Sequence, residues 1–148
     1  MRKVRRLDIN DINLILNMNN DFREGIVVEE EVIGFLNNDN NFFYACIDNN
    51  KIVGFLYGYL LKRLNSKSMG YIHEVGVLDE YKKQGIATNL IKNAHNDLFN
   101  NGVVKTFLIT QSNNIPACNL YEKMGGEMLQ DIEHGLCNVS YVFKNNIQ

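Results

Sequence analysis

Three stretches carry residues that could do chemistry. In Tyr71-Ile-His-Glu-Val-Gly-Val-Leu78 one carboxylate, Glu74, interrupts an apolar run. A charged group in such a strand is costly unless it is paired or wet. At the edge of a cleft it could take a proton from a bound amine; on an open sheet face it would only be solvated. In Tyr81-Lys-Lys-Gln-Gly-Ile-Ala-Thr88 a strand-like segment runs into a helix-like one through a single glycine. Backbone N–H groups converge at such a helix N-terminus and favour a phosphate. Gly85 permits close approach, Ala87 and Thr88 keep the first turn slim, and Lys82 and Lys83 add positive charge. A lone glycine before a helix is more often just a turn. The third stretch is Asn114-Ile-Pro-Ala-Cys-Asn-Leu-Tyr-Glu-Lys-Met-Gly-Gly126, in which Tyr121 shares a helix face with Ala117, Leu120 and Met124. Most such tyrosines are amphipathic core residues, but one facing a cleft can donate a proton or a hydrogen bond.

The elements that must position these groups follow from periodicity. Residues 3–7 read as a first strand, and "DINDINLILNMNN" as a helix with Ile9, Ile12, Ile15, Leu16 and Met18 on one side and Asp8 or Asn10 as cap. The polar loop "NDFREGI" leads to a second helix, "VVEEEVIGFLNN", whose acids lie in its first turn, where the helix dipole favours them. "NFFYACID" and "KIVGFLYGYLL" are strands joined by an Asn49-Asn50 hairpin turn. "YIHEVGVL" is a further strand, in which strict alternation puts Ile72, Glu74 and Gly76 on one face and His73, Val75 and Val77 on the other. From Gly85 the period changes, with Ile86, Ala87, Leu90, Ile91, Ala94, Leu98 and Phe99 in one helical stripe that stops at Gly102. Strand "VVKTFLIT", a helix starting near Asn114 with Pro116 in its first turn, and strand "VSYVFK" complete the order β-α-α-β-β-β-α-β-α-β. That order predicts a mixed sheet with helices on its faces.

Composition narrows the function classes. The 148 residues fit one domain, 1–148, with no linker or internal repeat. A hydrophobic share of 45% and a charged share of 22% suit a soluble globular chain. The net charge of −2 argues against nucleic acid as partner. The basic start, Met1 to Arg6, reads as a solvated strand. The most apolar run, Gly54 to Leu61, is too short to span a bilayer and is followed by Lys62 and Arg63, so no membrane partner is expected. Cys46, Cys118 and Cys137 show no CxxC pattern and fit reduced thiols in the cytoplasm. His73, His95 and His134 are scattered, so no metal is expected.

In this order the three stretches resemble the GCN5-related N-acetyltransferase (GNAT) family. The stretch matching its hallmark [Arg/Gln]-x-x-Gly-x-[Gly/Ala] is Lys82-Lys83-Gln84-Gly85-Ile86-Ala87. Its second hallmark, Asn-x-x-Ala-x-x-Leu-Tyr-x-Lys-x-Gly-Phe, is matched from Asn114 through Ala117, Leu120, Tyr121 and Lys123 to Gly125. The likeness covers essentially the whole chain and is strongest from Ile52 to Gly125. Lys82 stands where arginine or glutamine is usual, and Gly126 replaces the usual phenylalanine. The resemblance implies an α+β fold, a mixed and mostly antiparallel sheet flanked by helices and splayed between its fourth and fifth strands. It also implies acetyl-CoA as donor, with its diphosphate on the amides of Lys83 to Thr88 beside Lys82 and its pantetheine arm along Val75, Gly76 and Val77. Asn114 and Ala117 would border the cofactor, and the Val75 amide would polarise the thioester carbonyl.

Transfer of an acetyl group to a primary amine needs the amine neutral, and a lysine-like amine has a pKa of about 10.4. Glu74 is the candidate base, with His73 as a rival on the opposite strand face, and Tyr121 is the candidate acid toward the departing thiolate. Direct attack by the amine needs no enzyme nucleophile, so Cys118 is read as a structural thiol. The resemblance places the acceptor against the first two helices, where Asp21, Phe22, Arg23 and Glu24 are candidates, with Glu29, Glu30 and Glu31 nearby. These acids could attract a polyamine or could form a solvated helix start. The central stretch is similar to aminoglycoside 3-N-acetyltransferases, which makes a small-molecule amine such as an aminoglycoside or polyamine the leading expectation, with antibiotic resistance as its corollary. A protein or peptide N-acetyltransferase, and a non-catalytic acyl-CoA-binding sensor, are the alternatives. The family resemblance also allows a homodimer.

Overall fold

The asparagine pair after Asp48 turns the chain back on itself. Asn49 and Asn50 both take positive φ, 50° and 60°, which suits the right-handed twist of the strands they join. Those strands, β2 (Asn41–Asp48) and β3 (Lys51–Leu61), are adjacent in a sheet of a computed structural model that describes residues 1–22, 27–130 and 138–146. The other strands are β1 (Lys3–Arg6), β4 (Met69–Val77), β5 (Lys105–Gln111), β6 (Glu127–Gln130) and β7 (Asn138–Lys144). Among the described residues they make one seven-stranded sheet in the order β1-β2-β3-β4-β5-β7-β6. Every neighbouring pair is antiparallel except β4 with β5.

Helices cover both faces. On one lie α4 (Ile86–Asn100) and α5 (Ile115–Lys123), over Tyr44, Leu56, Ile72 and Tyr141. Leu90, Ile91 and Ala94 are fully buried there, and burying a side chain such as Leu90 stabilises by roughly 1.5–3 kcal/mol. On the other lie α1 (Ile12–Leu16), α2 (Met18–Asp21) and α3 (Glu29–Leu36), over Phe43, Ala45, Ile52 and Phe55.

Two elements differ from the sequence expectation. The first helix is broken into a 3-10 turn (Ile9–Asp11), α1 and α2. Asp8 and Asp11 form a capping box, each side chain accepting from the other's end of the turn, and Arg5 donates to both Asp11 oxygens at 2.9 and 2.7 Å. Asn13, Asn17, Asn19 and Asn20 then dilute helix propensity with side chains that compete for backbone partners. Asn19 does so with Val27, exchanging hydrogen bonds of 2.9 and 2.7 Å that tie α2 to the approach of α3. The other difference is β6, which pairs with β7 after α5. Its four residues sit at the sheet edge with Met128 and Leu129 exposed, so no alternating buried pattern marks it.

The third departure governs the site. Tyr57 of β3 faces Glu74, but the next residue, Gly58, faces Ile72. His73 is therefore an extra residue, a β-bulge, and strict alternation fails there. Ile72 turns to the α4 face, whereas Glu74 turns to the α3 face beside Tyr57. The expectation that Ile72 and Glu74 share a face is corrected, and so is the expectation that His73 opposes Glu74: both side chains lie against Tyr57. Gly58 permits the bulge, because a Cβ there would lie 1.9 Å from the carbonyl oxygen of Tyr71 and 2.8 Å from Phe42. Replacing Gly58 by alanine should destabilise the protein by roughly 2–3 kcal/mol, read by urea unfolding. A loss below about 0.5 kcal/mol would show that β4 can shift freely.

Beneath α4, His95 accepts or donates through Nε2 to the Thr106 hydroxyl at 2.8 Å and stacks on Phe99 at 4.8 Å. Burial lowers its pKa from 6.5 to about 4. The unfolded chain thus binds one more proton than the folded one between those values, so this contribution is complete above pH 6.5 and is lost as pH falls toward 4. Its full size is at most about 3 kcal/mol. Urea midpoints should fall across that window, and more steeply than for His95→Gln; identical slopes would contradict the assignment.

Candidate active site

The strands β4 and β5 pair only between Met69–Tyr71 and Lys105–Phe107. Beyond them β4 stays with β3, and β5 stays with β7. The sheet is splayed there as expected, so Val75, Gly76 and Val77 keep a strand on one side and, among the described residues, have none on the other. An extended chain could add to that open edge through main-chain hydrogen bonds.

At the end of β4 the backbone builds an anion cradle. Lys83 has φ of 60° and Gly85 of 80°, both left-handed. Gly85 is the N-cap of α4, with no side chain capping the helix and no acid in its first turn. The first helical bond runs from the Asn89 N–H to the Gly85 carbonyl, which leaves the amides of Ile86, Ala87 and Thr88 without an intrahelical acceptor. Space is open where a Gly85 Cβ would project. The contrast with α3, whose first turn holds Glu29, Glu30 and Glu31, is electrostatic: one helix start is self-neutralised and the other awaits an anion. The lysines and glutamine of this loop have other tasks too. Lys82 Nζ lies 2.8 Å from Asp79. Gln84 donates to the Glu80 carbonyl at 3.2 Å and accepts from Arg2, whose guanidinium lies over the Tyr81 ring.

Across the opening stands α5. Asn114 is its N-cap and accepts from the Ala117 N–H at 3.3 Å, with Pro116 in the first turn. Ala117 is half-buried against the core, and Tyr121 is 8% exposed, packed on Tyr141 at 5.5 Å and edge-on to Phe143 at 6.5 Å. Burial pushes the Tyr121 phenol above its usual value, with the neighbouring Cys118 adding to the shift. The group therefore holds its proton throughout the physiological range.

On the α3 face a cavity of about 580 Å³ opens beside Glu74. Its walls are mainly apolar and aromatic, including Phe22, Phe35, Phe55, Tyr57 and Tyr59, and its carboxylates are Glu31 and Glu74. Burial raises the Tyr57 phenol, and the charge of Glu74 raises it further. His73 is exposed at the rim, against the rings of Tyr57, Tyr59 and Tyr71, with Nδ1 3.2 Å from the Tyr71 hydroxyl.

The acceptor-side residues expected from the sequence are only partly brought together. Phe22 lines the cavity and meets Phe55 edge-on at 5.2 Å. Asp21 is exposed at the end of α2 and is not part of the lining. Arg23 and Glu24 lie outside the described residues. Of the three glutamates opening α3, only Glu31 reaches the cavity. Tyr57, Tyr59 and Phe35 escaped the sequence reading. Their signal was Phe55-x-Tyr57-x-Tyr59, aromatic residues at a spacing of two that define one face of a strand. Among the described residues no cluster of histidine, cysteine, aspartate or glutamate could hold a metal ion.

The chain belongs to the acetyltransferase (GNAT) family, whose sequence profile matches residues 12–126. It is 30% identical over 95 residues to an N-alpha-acetyltransferase of Saccharolobus solfataricus, covering 56% of this chain and 54% of the relative. The chain thus spans about half the length of the curated relatives it matches. Its fold is similar to that of Arabidopsis thaliana NAA60 in complex with acetyl-CoA, with a TM-score of 0.76, 18% identity, and coverage of 97% of this chain and 99% of that one. It is also similar to an aminoglycoside acetyltransferase from an uncultured soil metagenomic sample in complex with sisomicin, with a TM-score of 0.75, 23% identity, and coverage of 90% and 93%.

Proposed function

We propose that the protein is an acetyl-CoA-dependent N-acetyltransferase, working as one domain, in which a primary amine attacks the donor directly. The observation that carries this reading is the uncapped, acid-free N-terminus of α4 at the mouth of the opening between β4 and β5. These residues fit coenzyme A: amides from Lys83 to Thr88 would hold its diphosphate, Val75 to Val77 would pair with its extended arm, and Asn114 and Ala117 would border it. When bound, it supplies an acetyl group activated as a thioester. Glu74 accepts the proton of the incoming ammonium, directly or through water, and the neighbouring Tyr57 hydroxyl steadies its carboxylate. The Val75 amide would hold the thioester carbonyl oxygen by a hydrogen bond. Tyr121, kept protonated by burial, would supply a proton to the sulfur.

The acceptor cavity supports an amine that carries one large apolar group. Two carboxylates in an otherwise apolar and aromatic lining suit a single ammonium better than a polycation, whose several charges each need a partner. The α-amine of a peptide with a large apolar first residue meets this description, and similarity to proteins named N-alpha-acetyltransferases supports an α-amine as acceptor. A small-molecule amine is the second reading, favoured by the likeness in fold to the sisomicin-bound enzyme. Cys46, buried and free, is in keeping with a reducing cytoplasm. Thiol release from acetyl-CoA is to be measured across peptides, polyamines, aminoglycosides and amino acids. Turnover with apolar-start peptides supports the first reading, and turnover with aminoglycosides or polyamines alone supports the second. Binding without turnover would leave a non-catalytic sensor.

A further inference from the structure

One buried phenol has no part in the transfer chemistry. Tyr141, on β7, is fully buried in the core beneath α5, and a hydroxyl there is costly unless it is hydrogen-bonded. Its partners both lie on α5. The hydroxyl donates to the Glu122 carboxylate, with 3.1 Å between oxygens, and a second hydrogen bond links it to the Cys118 side chain. Cys118 and Glu122 are four residues apart, so they stand one above the other on a single face of the helix. Tyr121 lies beside them, its ring on that of Tyr141 at 5.5 Å.

The helix needs such a tie. At nine residues α5 is too short to hold its place without tertiary packing. Just past its end Gly126 offers no side chain as a further anchor: a Cβ there would lie 2.9 Å from the Phe143 ring, which already fills the space. What grips α5 from β7 therefore sets where it stands. We propose that Tyr141 is a positioning residue: its hydroxyl, bonded to Glu122 and Cys118, fixes α5 on β7 and so fixes where the Tyr121 hydroxyl meets the departing sulfur. This inference rests on the proposed role of Tyr121 as proton donor and extends it, because a group about 1 Å out of place can lose roughly a hundredfold in rate.

Turnover is to be measured with acetyl-CoA and the amine that reacts fastest in the thiol-release panel, beside amide hydrogen exchange of the ligand-free protein. Tyr141→Phe and Glu122→Ala should each lower kcat about tenfold and leave KM for both substrates within about threefold. Glu122 is exposed, so its replacement leaves the core intact. Glu122→Gln, which can still accept the bond, should stay within about threefold of the wild-type rate. In Tyr141→Phe and Glu122→Ala the amides from Cys118 to Tyr121 should exchange about tenfold faster, while those of Leu90 and Ile91 in α4 keep their rates. In a Tyr121→Phe background, Tyr141→Phe should cost less than about twofold more, because the group it positions is gone. A wild-type kcat in Tyr141→Phe or Glu122→Ala, unchanged α5 exchange, or an undiminished loss in the Tyr121→Phe background would overturn the proposal and leave Tyr121 as donor. A wild-type rate for Tyr121→Phe alone, or no turnover with any amine, would overturn the donor reading and this inference with it.

Discussion

Tyr121→Phe will lower turnover by about a hundredfold or more while leaving the affinity for coenzyme A within about threefold. The size follows from removing a positioned proton donor, an effect of roughly 10²–10⁴ in rate. The split between rate and affinity follows from the packing. The Tyr121 ring is buried against Tyr141 and Phe143, and phenylalanine keeps that ring and its contacts. Only the hydroxyl is lost. Single-turnover kinetics beside calorimetric affinity make the measurement. Equal loss of rate and affinity, or a lowered unfolding midpoint that accounts for the loss, would reduce Tyr121 to a core residue.

Glu74→Gln should produce a comparable fall, roughly a hundredfold, together with a changed pH dependence. An amine with a pKa of about 10.4 arrives at pH 7 as the ammonium, so the wild-type enzyme needs a group to receive its proton. With glutamine at 74 the rate should climb steeply toward the pKa of the amine, because only free base can attack, and the loss should shrink with rising pH. His73→Gln discriminates between the neighbours, since the bulge puts both side chains against Tyr57. If His73→Gln changes the pH profile and Glu74→Gln does not, the base is the histidine.

The sequence disclosed most of the frame because its signals were strong and local. Leu90, Ile91, Ala94 and Leu98 at helical spacing, the Asn49-Asn50 turn and the Asn114 cap with Pro116 each rest on one dominant physical preference. The first helix broke where four asparagines weakened the signal, and β6 was hidden by its shortness and exposure. The bulge at His73 lay beyond periodicity altogether. It depends on Gly58 in a neighbouring strand, and alternation read within β4 alone puts Glu74 on the face of Ile72 and opposite His73. That single residue of slippage is what turns Glu74 toward an aromatic cavity built by β3 and α3. The cradle was legible from Gly85, but its lack of an acid or side-chain cap became meaningful only beside the acid-rich start of α3. A polycationic acceptor was suggested by acids counted along the chain, and the fold brings only Glu31 of the α3 cluster to the cavity.

The most direct test of the central claim is an amide-resolved titration of isotope-labelled protein with coenzyme A. The account predicts the largest resonance shifts at the N–H groups of Lys83 to Thr88, followed by those of Val75 to Val77. Unmoved resonances in both segments at saturating ligand would contradict it.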